Sequence, residues 1–213
     1  MAVSAETSAN IWTAADLLER FGPIPLHRVR THPPPGTATE NDLIEVQDRE
    51  DRLCELIGGT LLEKTVGSYE SFLAGVLFRW LANYIAEKDL GIALPPDGML
   101  RLAPGLVRIP HVSFISWQRL PGRSLPSGEI WRLVPDLAVE ILSKGNTPQE
   151  MDRKLRDYFA AGVRQVWYVY PDAREVRAYT LPEQFTTVSQ HEILNGGDVL
   201  PGFALAQVRQ LST

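Results

Sequence analysis

The chain has 213 residues, 44% hydrophobic and 22% charged, which supports one full hydrophobic core and excludes a mainly disordered chain. Its net charge of −5, from 21 basic and 26 acidic residues, argues against tight indiscriminate binding to nucleic acid. The single cysteine, Cys54, excludes a disulfide framework; with no basic-then-apolar leader and no uninterrupted apolar helix, the expectation is a soluble, cytoplasmic protein.

Residues 1–42 read as a peripheral arm ahead of a domain spanning 43–213. Within the arm, Thr13 caps a short helix, Ala14 to Phe21, which Gly22-Pro23 ends, and His32-Pro33-Pro34-Pro35-Gly36 is extended. His27, Arg28 and Arg30 read as a surface charge cluster. Gly58-Gly59 then turns a hairpin between Leu53–Ile57 and Thr60–Leu62. Glu55 shares a face with Leu53 and Ile57, so it lies either at a solvent edge or in a site where a cation holds it.

Tyr69 to Glu87 has helical periodicity, with Phe72, Leu73, Val76, Leu77, Trp80, Leu81, Tyr84 and Ile85 as its apolar stripe. Pro104-Gly105 separates a strand starting near Met99 from one spanning Leu106 to Ser116. Trp117 to Leu133, with two prolines and two glycines, reads as a long irregular loop. Gln165–Tyr170 and Glu175–Thr180 flank a turn at Pro171–Arg174, and late strands are expected at His191–Leu194 and Phe203–Val208.

The stretch Val134 to Pro171 organises the rest: buried strand, loop, capped helix, second buried strand. Leu137, Val139 and Ile141 alternate with Asp136, Ala138 and Glu140, so the first set faces a core and the second, which holds both acids, faces a cleft or solvent. Four residues of strand hold Asp136 and Glu140 about 13 Å apart, too far to share one ion, so Asp136 is expected to bind backbone. Thr147, Pro148 and Glu150 give an N-cap, a proline at the first helical position and a capping-box acid; Gly162 gives the C-cap. Lys154 falls on the edge of the Met151, Leu155, Tyr158, Phe159 stripe, whereas Arg153 and Asp157 point away. That position suits either a lysine snorkelling over apolar surface or an ammonium brought to a carboxylate. From Gly98 to Arg164 the chain carries a local +4, leaving −9 elsewhere, a distribution that suits a polyanion entering a limited cleft.

The string Pro135-Asp136-Leu137-Ala138-Val139-Glu140-Ile141-Leu142-Ser143, followed by Lys154, Tyr158, Ala161-Gly162-Val163 and Val166-Trp167, resembles the Uma-two family of restriction-endonuclease-like proteins. That family is a bacterial branch of the PD-(D/E)XK nuclease superfamily, and the similarity extends from about Leu53 to Phe203. The resemblance implies an α/β restriction-endonuclease-like core, ordered helix, strand, strand, strand, helix, strand, with additional hairpins. It also implies hydrolysis of DNA phosphodiester bonds assisted by Mg²⁺ or Mn²⁺, and a possible homodimer. By the same resemblance Glu140, Lys154 and Glu55 are catalytic candidates, with His111 and Glu140 as metal ligands. Glu70 is a weaker candidate, near a helix start where related sequences often carry histidine. The main departure is Pro110-His111, where the family has proline and then a metal-binding aspartate. Neutral imidazole suits transition ions better than Mg²⁺, so either the metal preference has moved or the site has weakened towards a nucleic-acid or protein binding module.

Overall fold

The structure, a computed structural model, describes residues 12–65 and 67–206. In chain order its elements are α1 (Ala14–Phe21), α2 (Glu40–Glu50), β1 (Cys54–Ile57), β2 (Thr60–Glu63), α3 (Ser68–Glu87), β3 (Gly91–Leu94), β4 (Met99–Ala103), β5 (Leu106–Arg108) and β6 (Val112–Ser116). They continue with β7 (Ile130–Trp131), β8 (Leu137–Ile141), α4 (Pro148–Ala161), β9 (Gln165–Tyr170), β10 (Glu175–Leu181), β11 (Gln184–Ser189), β12 (Leu194–Asn195) and β13 (Ala204–Leu205). Among the described residues, a six-stranded sheet runs β11-β10-β9-β8-β6-β3 and a five-stranded sheet runs β2-β1-β5-β4-β7. Strands β8 and β9 are parallel, joined by α4 as a βαβ crossover.

Strand β8 is buried on both faces. On one side Leu137, Val139 and Ile141 pack with Val112 and Trp167 against Leu73, Leu77, Leu81 and Ile85 of α3. On the other, Ala138 and its neighbours Val166 and Tyr168 meet Met151, Leu155 and Tyr158 of α4. The face expected to look onto a cleft or solvent is therefore covered by a helix, and Glu140 is buried with it, 2% exposed. The apolar side of α3 is also narrower than its periodicity indicates: Phe72 and Trp80 are exposed, because only residues on the sheet-facing arc reach the core.

Leu106 to Ser116 is not one strand. Strand β5 joins the five-stranded sheet and β6 the six-stranded sheet, with Ile109-Pro110-His111 as the corner between them. Pro110 donates no N–H, which favours leaving one ladder and entering another. Strand β11 was not anticipated: of its residues only Val188 is buried, so its apolar signal is weak. The late strands shorten to β12 and β13, and the expectation for residues 207 and 208 lies outside the described residues.

The ends of α4 follow its sequence, with one exception. Thr147 accepts from the Glu150 N–H at 3.2 Å, Pro148 stands at the first position, and Gly162 takes φ 96°, the left-handed conformation glycine allows. The Glu150 side chain does not close a capping box; Arg28 takes it through two bonds of 2.8 and 3.0 Å. Arg28 is thus a buried partner instead of a surface charge, and its Nε also donates to the Glu63 carbonyl. Residues of the arm, including Phe21, Ile24 and Val29, pack against Leu62 of β2, and the boundary between 42 and 43 falls inside α2.

Removing Arg28 strands a buried carboxylate. Arg28→Met is expected to lower unfolding free energy in urea by about 3–5 kcal/mol, and Arg28→Met with Glu150→Leu to recover most of it. Equal losses in the single and double variants would contradict the pairing.

Candidate active site

Four charged or titratable side chains proposed from separate parts of the chain converge where the two sheets meet. Glu55 comes from β1, His111 from the corner before β6, Glu140 from β8 and Lys154 from α4. Lys154 Nζ lies 3.0 Å from Glu140 Oε1 and 3.2 Å from Glu55 Oε1, and all three side chains are buried. Of the two positions open to Lys154, the structure takes the ammonium at a carboxylate.

Every carboxylate oxygen here has a partner. Glu55 Oε2 accepts from Arg108 Nη1 at 2.6 Å, and Oε1 accepts from the Ile109 N–H at 3.1 Å as well as facing Lys154. Glu140 Oε1 accepts from the Tyr158 hydroxyl at 2.5 Å, and Oε2 lies 2.8 Å from His111 Nδ1. Arg108 also donates to Asp157, and Lys64 Nζ donates to the Ile109 carbonyl at 2.8 Å. Three cations (Lys64, Arg108, Lys154) thus stand among three carboxylates (Glu55, Glu140, Asp157), with no net charge in the cluster.

The protonation states follow from this packing. Burial alone raises the Glu55 carboxyl, but the Lys154 and Arg108 charges outweigh it and hold the group down at about 2. Burial likewise opposes ionisation of Glu140; Lys154 and the His111 bond hold it well below the usual carboxylate range. Burial works against the Lys154 ammonium, yet Glu140 and Glu55 keep its pKa above the ordinary lysine value. For His111 burial wins and lowers the pKa, so the ring is neutral at pH 7. Nδ1 has two neighbours, the Glu140 carboxylate at 2.8 Å and the Ile141 N–H at 3.3 Å; the carboxylate is closer and only accepts, which assigns the proton to Nδ1 and leaves a lone pair on Nε2. That Nε2 is buried with no hydrogen-bond partner.

This orphaned nitrogen tests whether a divalent ion suits the centre. It is an atom a transition ion could accept, but Nδ1 faces Glu140, and the two ring nitrogens point in divergent directions. His111 and Glu140 therefore do not converge on one ion. Among the described residues no group of three His, Cys, Asp or Glu side chains is placed to hold a metal. Mg²⁺ needs several oxygen ligands at short range, whereas the oxygens here are held by ammonium, guanidinium, phenol and imidazole groups. The residues present, arranged this way, do not fit a hard divalent ion.

Asp136 stays outside the cluster, as its distance from Glu140 requires: it accepts from the Ser116 N–H at 2.9 Å and from Arg119 at 3.0 Å. Glu70 borders a neighbouring cavity with Thr65, Gly67 and Ser143. Arg108, Lys64 and Asp157 were not foreseen as site residues, and Tyr158 was read as part of the α4 stripe. Asp157, expected to point away from the stripe, instead reaches Arg108 of the neighbouring sheet, a long-range partner that helix spacing does not display. Arg108 did carry a signal, as a charge in an otherwise apolar run before Pro110.

A mixed sheet between two helices, with two acids and a lysine gathered at its junction with a second sheet, defines a nuclease-like α/β protein. Comparison with known proteins makes the assignment particular. The Uma2 family model, described as "Putative restriction endonuclease", matches residues 40–209, most of the chain, and the chain belongs to that family. No curated protein matches it. Among solved structures it is similar to the crystal structure of "a putative nuclease belonging to DUF820" from Anabaena variabilis ATCC 29413. The TM-score is 0.65 at 15% identity, covering 76% of this chain and 90% of that one, a likeness of fold. Among the described residues no helix is long and apolar enough to cross a membrane.

Two outcomes follow from the charge network. Lys154→Met leaves two buried carboxylates without their shared cation and is expected to cost about 3–5 kcal/mol in urea unfolding; a change under ~1 kcal/mol would contradict the geometry. Glu55 and Glu140 have depressed folded pKa values, so their contribution is complete above the ordinary carboxylate range and is lost as pH falls from about 4.5 towards 2. His111, buried neutral, adds to the loss below about 6.5. Urea midpoints measured from pH 8 to pH 3 should therefore fall, with a shallower slope in Glu55→Gln.

Proposed function

We propose that this chain engages DNA through its nuclease-like centre, and that Mg²⁺-dependent hydrolysis there has lapsed. The observation that carries this reading is the full engagement of both carboxylates: Lys154, Arg108, Tyr158 and His111 hold the oxygens that a hard ion would need. His111 is central to it. Replacing an acid by a neutral imidazole removes one negative charge, and the remaining acids are balanced by resident cations. Family membership and fold support nucleic acid as the ligand class.

The second reading is a metal-dependent endodeoxyribonuclease with Glu55, Glu140 and Lys154 as catalysts and His111 with Glu140 as ligands. It is favoured by one observation, that these acids and this lysine still meet from three separate elements. In that reading Lys154 would stabilise charge developing on the phosphate, work its present ion pairs restrain.

Supercoiled plasmid separates the two. With Mg²⁺ or Mn²⁺ the native protein is expected to shift DNA in a gel without nicking it, while His111→Asp gains nicking that Glu140→Ala removes. Nicking by the native protein in Mg²⁺ that disappears in Glu140→Ala would establish the second reading instead. Failure to bind DNA at all would contradict both.

A further inference from the structure

We propose that the cavity beside this centre is a subsite for an unpaired, amino-bearing nucleobase. The inference rests on the DNA-engaging reading above and names the part of the ligand that this region takes. The cavity is about 430 Å³, the size of a small-molecule site, and lies between the first turn of α4, the loop that follows β8, and strands β9 and β10 with the turn that joins them. It shares the α4 face of the sheet with the ion network. Tyr168, in its wall, stands opposite Glu140 in the β8–β9 register, and Met151, also in its wall, precedes Lys154 by roughly 4.5 Å of helix rise.

One wall of the cavity is aromatic. Tyr168, Tyr170 and Tyr179 line it, with Tyr168 and Tyr179 edge to face at 5.3 Å. The Arg177 guanidinium lies 4.5 Å from the Tyr170 ring centre and is pinned by Glu175 at 2.9 Å. Tyr168 and Tyr179 are buried behind the cavity and Arg177 is held between Tyr170 and Phe185, so the half-buried Tyr170 ring is the surface offered to an unpaired base for stacking. The charges at the cavity select the base over the phosphate. Lys144 and Arg177 are matched by Asp152 and Asp172, which leaves no cationic excess to draw an anion. Asp152 and Asp172 are exposed carboxylates that only accept, so they favour exocyclic amines, which adenine, cytosine and guanine carry and thymine lacks. A base already paired and stacked in a duplex has neither its faces nor its pairing edge free, so the ligand is unpaired.

The test is fluorescence anisotropy with the full chain, without divalent ions, on labelled short oligomers of dA and dT and on a labelled duplex. Tyr170→Leu and Asp172→Asn are compared with the native protein; both lie outside the ion network, and Asp172 is an exposed turn residue whose amide leaves the fold intact. The native protein is expected to bind the dA oligomer roughly tenfold more tightly than the dT oligomer. Tyr170→Leu should weaken dA binding by about tenfold and Asp172→Asn should narrow the dA-to-dT difference, with duplex affinity unchanged. Displacement by free deoxyadenosine monophosphate at matched concentration would support the same base recognition with a free nucleotide as its source; displacement only by the oligomer would support a base within a chain. Equal affinity for dA and dT, unmoved by either variant, would overturn the subsite while duplex binding left the DNA reading standing. Loss of binding to every DNA, duplex included, would overturn both.

Discussion

Two buried carboxylates from different sheets share the Lys154 ammonium, and that shared charge is what ties β1, β8 and α4 to one point. Buried ions cost several kcal/mol each in lost hydration, which attraction offsets only when partners are close and all remaining oxygens are bonded. Here the supplementary bonds come from Arg108, Tyr158, His111 and the Ile109 backbone. The constraint is mutual: moving any one member leaves another charge uncompensated in a water-poor interior.

The corner at Ile109-Pro110-His111 is how the chain meets that constraint. It carries Arg108 from the five-stranded sheet and His111 into the six-stranded one, so the cluster sits on the seam between them. The N-terminal segment reinforces the same region from the other side, through Arg28 on Glu150 at the first turn of α4. Helix α4 is therefore held at its start by the arm and along its length by the ion network. The site inherits that rigidity, and a rigid, charge-balanced centre is poorly suited to admitting a divalent ion.

Much of this was legible in local pattern. The caps of α4, the Gly58-Gly59 hairpin and the βαβ order rest on short-range chemistry that a sequence displays directly. Glu55, Glu140 and Lys154 were singled out as candidates through a family resemblance, because spacing alone left Lys154 between two roles; the structure brings the three together. What the pattern hid was long-range. Arg108 and Arg28 look like ordinary surface arginines until tertiary packing buries them beside Glu55 and Glu150, 53 and 122 residues away in the chain. The break in Leu106–Ser116 was hidden for a related reason: continuous β-type residues do not say that the two halves belong to different sheets. Strand alternation likewise marked the acidic face of β8 but not the helix that covers it.

His111 has the sharpest consequence for the cluster, since it brings a partner for Glu140 without bringing a charge. Neutral imidazole bonded through Nδ1 completes the engagement of Glu140, and the cluster then holds as many positive as negative charges. Isothermal calorimetry of Mg²⁺ and Mn²⁺ into the native protein tests this claim most directly. Only heats of dilution are expected across the millimolar range. A saturable one-site isotherm that Glu140→Gln abolishes would contradict it.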